Sequence, residues 1–527
     1  MKNILASLIL FFLATIGTAQ VSSNIQKMQY YEYFNKAKQL LLNEIKTNPA
    51  NLDNYMVLGS LYSRLNNTDS ATIIFNKLVE QNQKSALSYL AKGYMELNNG
   101  KADDAASFFE RAAKMTKNKD GLSMRYIGEA YLFSPKHNYQ QAIEYLKKAV
   151  AIEINNPVTY YSLGEAYIAN KESGPAVTQF EFCTDYDKTA AWAYTQIGII
   201  FESAKNYQKT EESYNAALKA DPNYPLIYKY SAQWKFLHQD YATALEYFNK
   251  YQTMTGDNSI DAQTAKSTYL FYNKDYKKTI DIVNNIIKVD SSKNYMIRLL
   301  GYCYFEEGDS LAAKNMMEKF FQKAPKDKII WSDYQYLGKI YQKFGNDSTA
   351  MIQYKKAIEL DSTQVDIYDD LAKMNFKKAN YELAGDWFSK KLTKIHSPSI
   401  QNYFDIAFAY YKAADYTKAN IYFAKIVGIY PTSMTGQLYY ARSKSYLDPE
   451  STEALAKPNY EKIIELGELD PIKYKEELKE AYKYLYYHYF NLQDKTTALT
   501  FADKFIKVDP NDPEGMQLMD AAKVVEK

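Results

Sequence analysis

The sequence predicts an all-α solenoid, and three observations predict it. A small residue recurs every 34 to 37 residues, at Gly59, Gly93, Gly128, Gly164, Gly198, Ala232, Ser267, Gly301, Gly338, Ala372, Ala407 and Ala441. Each recurrence sits in a Tyr- and Leu-rich stretch with helical spacing of its apolar residues. Glycine (19) and proline (14) are scarce in the 527 residues, as long helices joined by short turns require. Self-similarity at such a period marks stacked repeats, in which neighbours bury each other's apolar faces and the chain grows without dividing into globular domains.

The elements follow in order. Lys2, the apolar run Ile4 to Ile16 and the small residues Gly17-Thr18-Ala19 predict a signal peptide over 1–19, cleaved before Gln20. The run is too short to span a bilayer, and no Cys follows the small-residue site, so neither a membrane anchor nor a lipoprotein is predicted. The mature chain is expected to be exported, in the periplasm, secreted or at the cell surface. A half unit follows, with Ala37, Leu41 and Pro49 at second-helix spacing. In the first full unit Tyr55, Leu58, Gly59 and Tyr62 fall at i, i+3, i+4 and i+7, polar Asn66 to Asp69 interrupts, and Ala71, Phe75 and Leu78 begin a second apolar stripe. The pairs Asn206-Tyr207, Asp240-Tyr241, Asp275-Tyr276, Asn380-Tyr381 and Asp415-Tyr416 place a cap or turn former inside each pair. The third unit carries two extra residues around Leu132 to Asn138, so its loop is expected to protrude. The array runs over 20–510 and is irregular around 442–475, where Pro449, Pro458 and Pro471 are read as helix breakers. Residues 511–527 are predicted as a capping helix whose apolar side holds Met516, Met519 and Ala522.

These residues resemble the tetratricopeptide repeat, whose pattern runs W-x2-L-G-x2-Y, then A-x3-F, then P. Tyr160, Leu163, Gly164 and Tyr167 precede Ala176 and Phe180, and Tyr334, Leu337, Gly338 and Tyr341 precede Ala350 and Tyr354. Pro222, Pro325, Pro431 and Pro510 stand where the family's proline ends the second helix. The resemblance covers about residues 22 to 515 and implies a right-handed superhelical solenoid of about 13 helix-turn-helix repeats.

It also implies a binding surface. In the family the first helices line a concave groove that holds extended peptides, and this places Arg125, Tyr161, Trp192, Tyr230, Arg298, Tyr302, Phe305, Tyr336 and Phe404 on the groove side. Tyrosine combines a flat apolar face with a hydroxyl, which suits a peptide and equally a sugar ring. The Lys and Asn pairing by which chaperone-binding members clamp a terminal carboxylate is replaced here by Met56 with Ser60 and Leu90 with Tyr94, so that subtype is excluded.

Other function classes find little support. Lys plus Arg (64) against Asp plus Glu (62) gives a net charge of +2, without the basic stripe that nucleic acid demands. The four histidines lie in different repeats, and no H-E-x-x-H, C-x-x-C, G-x-S-x-G or phosphate-binding glycine loop occurs, so no enzyme, cofactor or metal site is predicted. Asp366, Asp369 and Asp370 are the densest acidic group on a first helix, with Lys373 and Lys377 one turn on to neutralise them. Cys183 and Cys303, about three and a half repeats apart, are expected as buried free thiols. Asp69-Ser70-Ala71, Asp309-Ser310-Leu311, Asp347-Ser348-Thr349 and Asp361-Ser362-Thr363 resemble an O-glycosylation signal of exported bacterial proteins, although helix capping accounts for such residues as well. The sequence thus points to a non-enzymatic protein- or peptide-binding scaffold of the bacterial envelope. A glycan-binding helical-repeat protein is the alternative.

Overall fold

The structure, a computed structural model, describes Met28 and residues 33–524; the signal peptide expected over 1–19 lies outside the described residues. Among them every regular element is a helix, most of them α-helices arranged in thirteen consecutive pairs. The chain forms two compact units, residues up to Ile282 and residues from Val283.

In the first unit Phe34–Thr47 is the predicted half unit, with Ala37 and Leu41 buried. Six complete pairs follow: Leu52–Arg64 with Thr68–Gln81, Ala86–Asn98 with Ala102–Met115, Gly121–Phe133 with Tyr139–Ile152, Pro157–Ala169 with Ser173–Tyr186, Ala191–Ser203 with Tyr207–Ala220, and Pro225–Leu237 with Tyr241–Thr255. Ile260–Tyr272 opens a seventh. In the second unit the pairs are Ile297–Glu306 with Ser310–Lys323, Trp331–Lys343 with Asp347–Leu360, Val365–Lys377 with Tyr381–Leu392, Ile400–Lys412 with Tyr416–Ile429, Met434–Leu447 with Lys457–Gly467, and Lys475–Asn491 with Lys495–Val508, and Pro513–Val524 closes the stack.

One contact repeats through both units. In six first helices the glycine faces a bulky side chain sixteen positions on: Gly59 with Phe75, Gly93 with Phe109, Gly164 with Phe180, Gly198 with Tyr214, Gly301 with Met317 and Gly338 with Tyr354. The third pair uses Leu146, eighteen positions from Gly128, because its connection is longer by two residues, and Pro135 to Asn138 are exposed there as expected. These side chains are fully or almost fully buried, so the repeat fixes helix-pair packing rather than a recognition surface.

The turns repeat too. Lys171, Lys205, Gln239, Lys274, Ala379 and Ala414 take left-handed φ values of 57° to 66°, where Gly100, Gly308 and Gly345 stand in other pairs. The next residue caps the second helix: Asn206 accepts from Lys209 N at 3.2 Å, Asp240 from Thr243 N at 3.3 Å and Asp415 from Lys418 N at 3.0 Å. Asn380 makes no such side-chain bond.

Two expectations are corrected. Pro458 lies in the first turn of Lys457–Gly467, where a missing N–H costs nothing, so it starts that helix rather than breaking one. The last helix buries Gly515 and Leu518 rather than Met516, which is 46% exposed, because Gly515 is the position that abuts the Phe505 ring. Tyr295 falls in a 3-10 turn, Ser291–Met296, which shortens the following first helix to ten residues. Cys183 and Cys303 are buried free thiols, and burial pushes the Cys183 thiol far up.

Candidate binding face

Within each unit, first helices approach one another from pair to pair more closely than second helices do, so they form the inner face. The two units treat that face differently. In the first, Leu52–Arg64 reaches past its neighbour to touch Gly121–Phe133. Arg64 forms a two-pronged ion pair with Glu165 of the fourth pair, with one bond of 3.0 Å, and its guanidinium lies 4.5 Å from the Phe133 ring centre. Ser162 donates to Glu129 at 2.8 Å, and Arg125 lies 3.7 Å from the same carboxylate. The chain's own side chains therefore fill this inner face. Arg125, Tyr161 and Trp192 are each 4–5% exposed. Tyr161 packs 5.3 Å from the Phe180 ring of its own pair. Tyr230 is half-buried.

In the second unit four of the residues placed on the groove come together as a staple between consecutive first helices. Tyr302 donates to Asp333 at 2.7 Å, and its ring stacks on Tyr336 at 4.0 Å. Tyr336 donates to Glu306 at 2.8 Å, and Phe305 meets its ring edge-on at 5.8 Å. Arg298 lies 3.5 Å from Asp333 and donates to the Lys328 carbonyl at 2.6 Å. Asp333 is wholly buried and accepts from Ile330 N at 2.8 Å, closing the start of Trp331–Lys343, while burial holds its carboxyl above the usual range. The Tyr302 and Tyr336 hydroxyls and the Asp333 carboxylate have their partners inside the protein, and only Arg298 Nε is buried without one, so the cluster joins helices.

Phe404 belongs to a different arrangement. Phe404, Phe408 and Tyr411 stack along one first helix with ring centres 5.7 and 6.4 Å apart. Phe376 of the preceding first helix lies 5.9 Å from Phe408. Tyr439 of the following one stands at 79° to 84° to all three rings. Tyr446 stacks on Tyr416 at 4.4 Å and is 56% exposed. The other members are half-buried, which makes this a continuous, partly open aromatic floor across three first helices.

Carboxylates border it. Asp369 is bonded by Lys391 from the second helix of its pair and by Lys373 at 2.6 Å, so Lys391 takes the neutralising part expected of Lys377. Asp370 and Asp405 make no ion pair within 4 Å among the described residues, and burial raises both carboxyls above the usual aspartate range. Further on, Arg442 is bidentate to Glu480, with bonds of 2.6 and 2.9 Å. It borders a cavity of about 340 Å³ lined also by Leu438, Glu476, Glu477, Lys479 and Phe505. Among the described residues no group of three or more His, Cys, Asp or Glu is arranged to hold a metal.

One pair invites a catalytic reading. Ser451 has a left-handed φ of 54°, and its hydroxyl lies 2.9 Å from His488 Nδ1. The same hydroxyl lies 2.8 Å from the Tyr484 hydroxyl, and Asp448 is bonded to Thr452 and to the Leu455 N–H rather than to His488. With no carboxylate orienting the imidazole, the trio fastens the irregular loop to Lys475–Asn491.

Comparison with known proteins agrees with this architecture. Family models described as tetratricopeptide repeat match residues 56–120, 193–224, 334–364 and 401–433. The C-terminal part of a TPR repeat-containing protein from Cytophaga hutchinsonii is 30% identical, with 48% of this chain and 98% of that one covered and a TM-score of 0.37. The chain belongs to the tetratricopeptide repeat family. Its tetratricopeptide repeats support a protein-interaction scaffold. A tetratricopeptide repeat protein from Parabacteroides merdae is 18% identical over 49% of this chain and 98% of its own, with a TM-score of 0.32. A TPR repeat-containing protein of Methanocaldococcus jannaschii is 20% identical over 350 residues, and the tetratricopeptide chain described here spans 56% of its length. No helix among the described residues is long and apolar enough to cross a membrane.

Proposed function

We propose that this tetratricopeptide protein is a non-enzymatic scaffold of a bacterial cell envelope that holds protein or peptide partners on the inner face of its second unit. One observation carries the choice of face. The first unit's inner side is occupied by Arg64, Glu165 and Arg125, whereas the second unit leaves the rings from Phe376 to Tyr446 partly open. Partly open aromatic surface on a rigid helical frame is the kind of area from which protein interfaces draw their energy. Envelope location rests on the signal-like N-terminus. The Ser451 and His488 pair is committed to holding a loop and lends catalysis no support.

In-cell crosslinking of the envelope fraction, read by mass spectrometry, tests the reading. Reproducible protein partners whose crosslinks map to residues 365–447 are expected, together with a mature chain beginning at Gln20. Recovery of the chain uncleaved in the cytosolic fraction, or no reproducible partner, would sink it.

A further inference from the structure

We propose that the inner face of Val365–Lys377, Ile400–Lys412 and Met434–Leu447 takes an extended peptide, its basic side chains against an acidic rim and its apolar side chains on the aromatic floor. The inference rests on the scaffold reading and adds the chemistry of the partner.

The floor and the rim adjoin along the first helices. The rings of Phe376, Phe408, Tyr411 and Tyr446 come from the C-terminal halves of the first helices, whereas Asp366, Asp369, Asp370 and Asp405 come from the N-terminal halves, where Phe404 and Tyr439 carry the floor up to the rim. Carboxylates at a helix start ordinarily offset the helix dipole, but that effect fades beyond the first turn. Of these four only Asp366 lies in a first turn. Lys373 and Lys391 both serve Asp369. Asp370 and Asp405 are left half-buried without a salt bridge, and Gln401 Nε2, donating to Asp405 at 2.7 Å, brings no charge. Lys339 and Lys373 act on Asp370, and Lys391 and Lys373 on Asp405, without a direct ion pair, so burial still outweighs them and a lysine or arginine placed in contact by a partner relieves it. Farther along the same face Glu476, Glu477 and Glu480 line the 340 Å³ cavity, where Arg442 and Glu480 pair and Lys479 is held by Asp512 at 2.5 Å. Its lining is mixed, with Arg442, Lys479 and Lys483 beside Glu476, Glu477, Glu480 and Glu514, so the acidic rim ends before it.

A neutral glycan fits less well. Sugar rings stack on open aromatic faces, whereas Tyr439 stands nearly perpendicular to Phe404, Phe408 and Tyr411 and packs against them. A glycan also gives no counter-charge to Asp370 and Asp405.

The test selects random displayed peptides of about twelve residues on the full chain, and enriched peptides are then titrated by fluorescence anisotropy. Enrichment of Lys or Arg beside Phe, Leu or Ile is expected. Affinity should fall about tenfold in the Asp370→Asn/Asp405→Asn variant, and the salt dependence seen with the wild-type chain should shrink. Phe408→Ala should weaken the same peptides, while the charge variant keeps its helical signal and unfolding temperature. Acidic or uncharged peptides whose affinity is indifferent to the charge variant would overturn the proposal and leave the scaffold reading standing. Basic peptides insensitive to both variants would overturn it also, by placing binding elsewhere. An oligosaccharide panel bound in a Phe408-dependent way, with no peptide enriched, would overturn it in favour of glycan. Failure of both peptide enrichment and crosslinking would remove the proposal and the scaffold reading together.

Discussion

Arg64 and Glu165 are 101 residues apart in sequence, yet they pair across the inner face of the first unit and tie its first helix pair to its fourth. Both are mostly shielded, with side-chain exposures of 23% and 18%, and the guanidinium also covers the Phe133 ring. Replacing Arg64 by Met leaves Glu165 without its partner, and a loss of about 1–3 kcal/mol is expected. In a double-mutant cycle with Glu165→Gln followed by chemical denaturation, the two losses should be clearly less than additive. Additive losses would mean that the pair does not join the two ends.

Gly338 offers the opposite kind of test. A methyl group there would lie 2.7 Å from Cε1 of the buried Tyr354 ring, whose hydroxyl is tied to Gln342 at 3.2 Å. Helix propensity alone favours Ala over Gly by about 1 kcal/mol. Overpacking a fixed ring costs about 1–3 kcal/mol. Gly338→Ala should therefore lower stability, and a gain in thermal unfolding temperature would show that the ring moves aside freely.

That contact also measures how far the sequence could be read. The period, the pairing of small residue with ring, the longer third connection and most caps depend on neighbours within one or two repeats, and a repeat displays such neighbours directly. Ala232, Ala372 and Ala407 hold the small-residue place with Phe248, Phe388 and Phe423 buried sixteen positions on, so these departures kept the offset, whereas Ala441 has Lys457 there. The candidate site was less legible. Sequence places Arg125, Trp192 and Tyr302 on first helices, but not how tightly those helices close, and closure turned them into internal packing. Asp333 escaped notice because its partners Arg298 and Tyr302 belong to another pair. For Asp405 the signal was its absence of a nearby cation in the helix, which gains meaning only beside Asp369 and the rings.

The turns within pairs carry a removable strain. Ala414 has a φ of 60°, the conformation for which Gly stands at positions 100, 308 and 345. A left-handed alanine costs about 1–2 kcal/mol, and glycine returns part of that through the entropy of the unfolded chain. Ala414→Gly should stabilise by roughly 0.5–1 kcal/mol in urea titration, without altering the Asp415 cap to Lys418. A loss would mean that the alanine methyl is packed rather than strained.

His488 gives the irregular segment a pH dependence whose sign is fixed by its surroundings. Its side chain is 6% exposed and holds Ser451 through Nδ1. Burial, followed by the nearby Lys457 ammonium, lowers its pKa below the ordinary histidine value. A base whose folded pKa is depressed contributes stability that is full above about pH 6.5 and declines as pH falls through the folded value. Charging the imidazole while it is buried beside Lys457 should loosen the loop it fastens. Backbone amides of Ser451 to Ala456 should therefore exchange hydrogen faster, relative to the intrinsic rate, as the pH drops from about 7 to about 5. His488→Gln keeps a hydrogen-bonding group of similar reach and cannot charge, so in that variant the relative exchange of this loop should stay level. Unchanged loop protection in the wild-type chain would show that the imidazole does not control the loop.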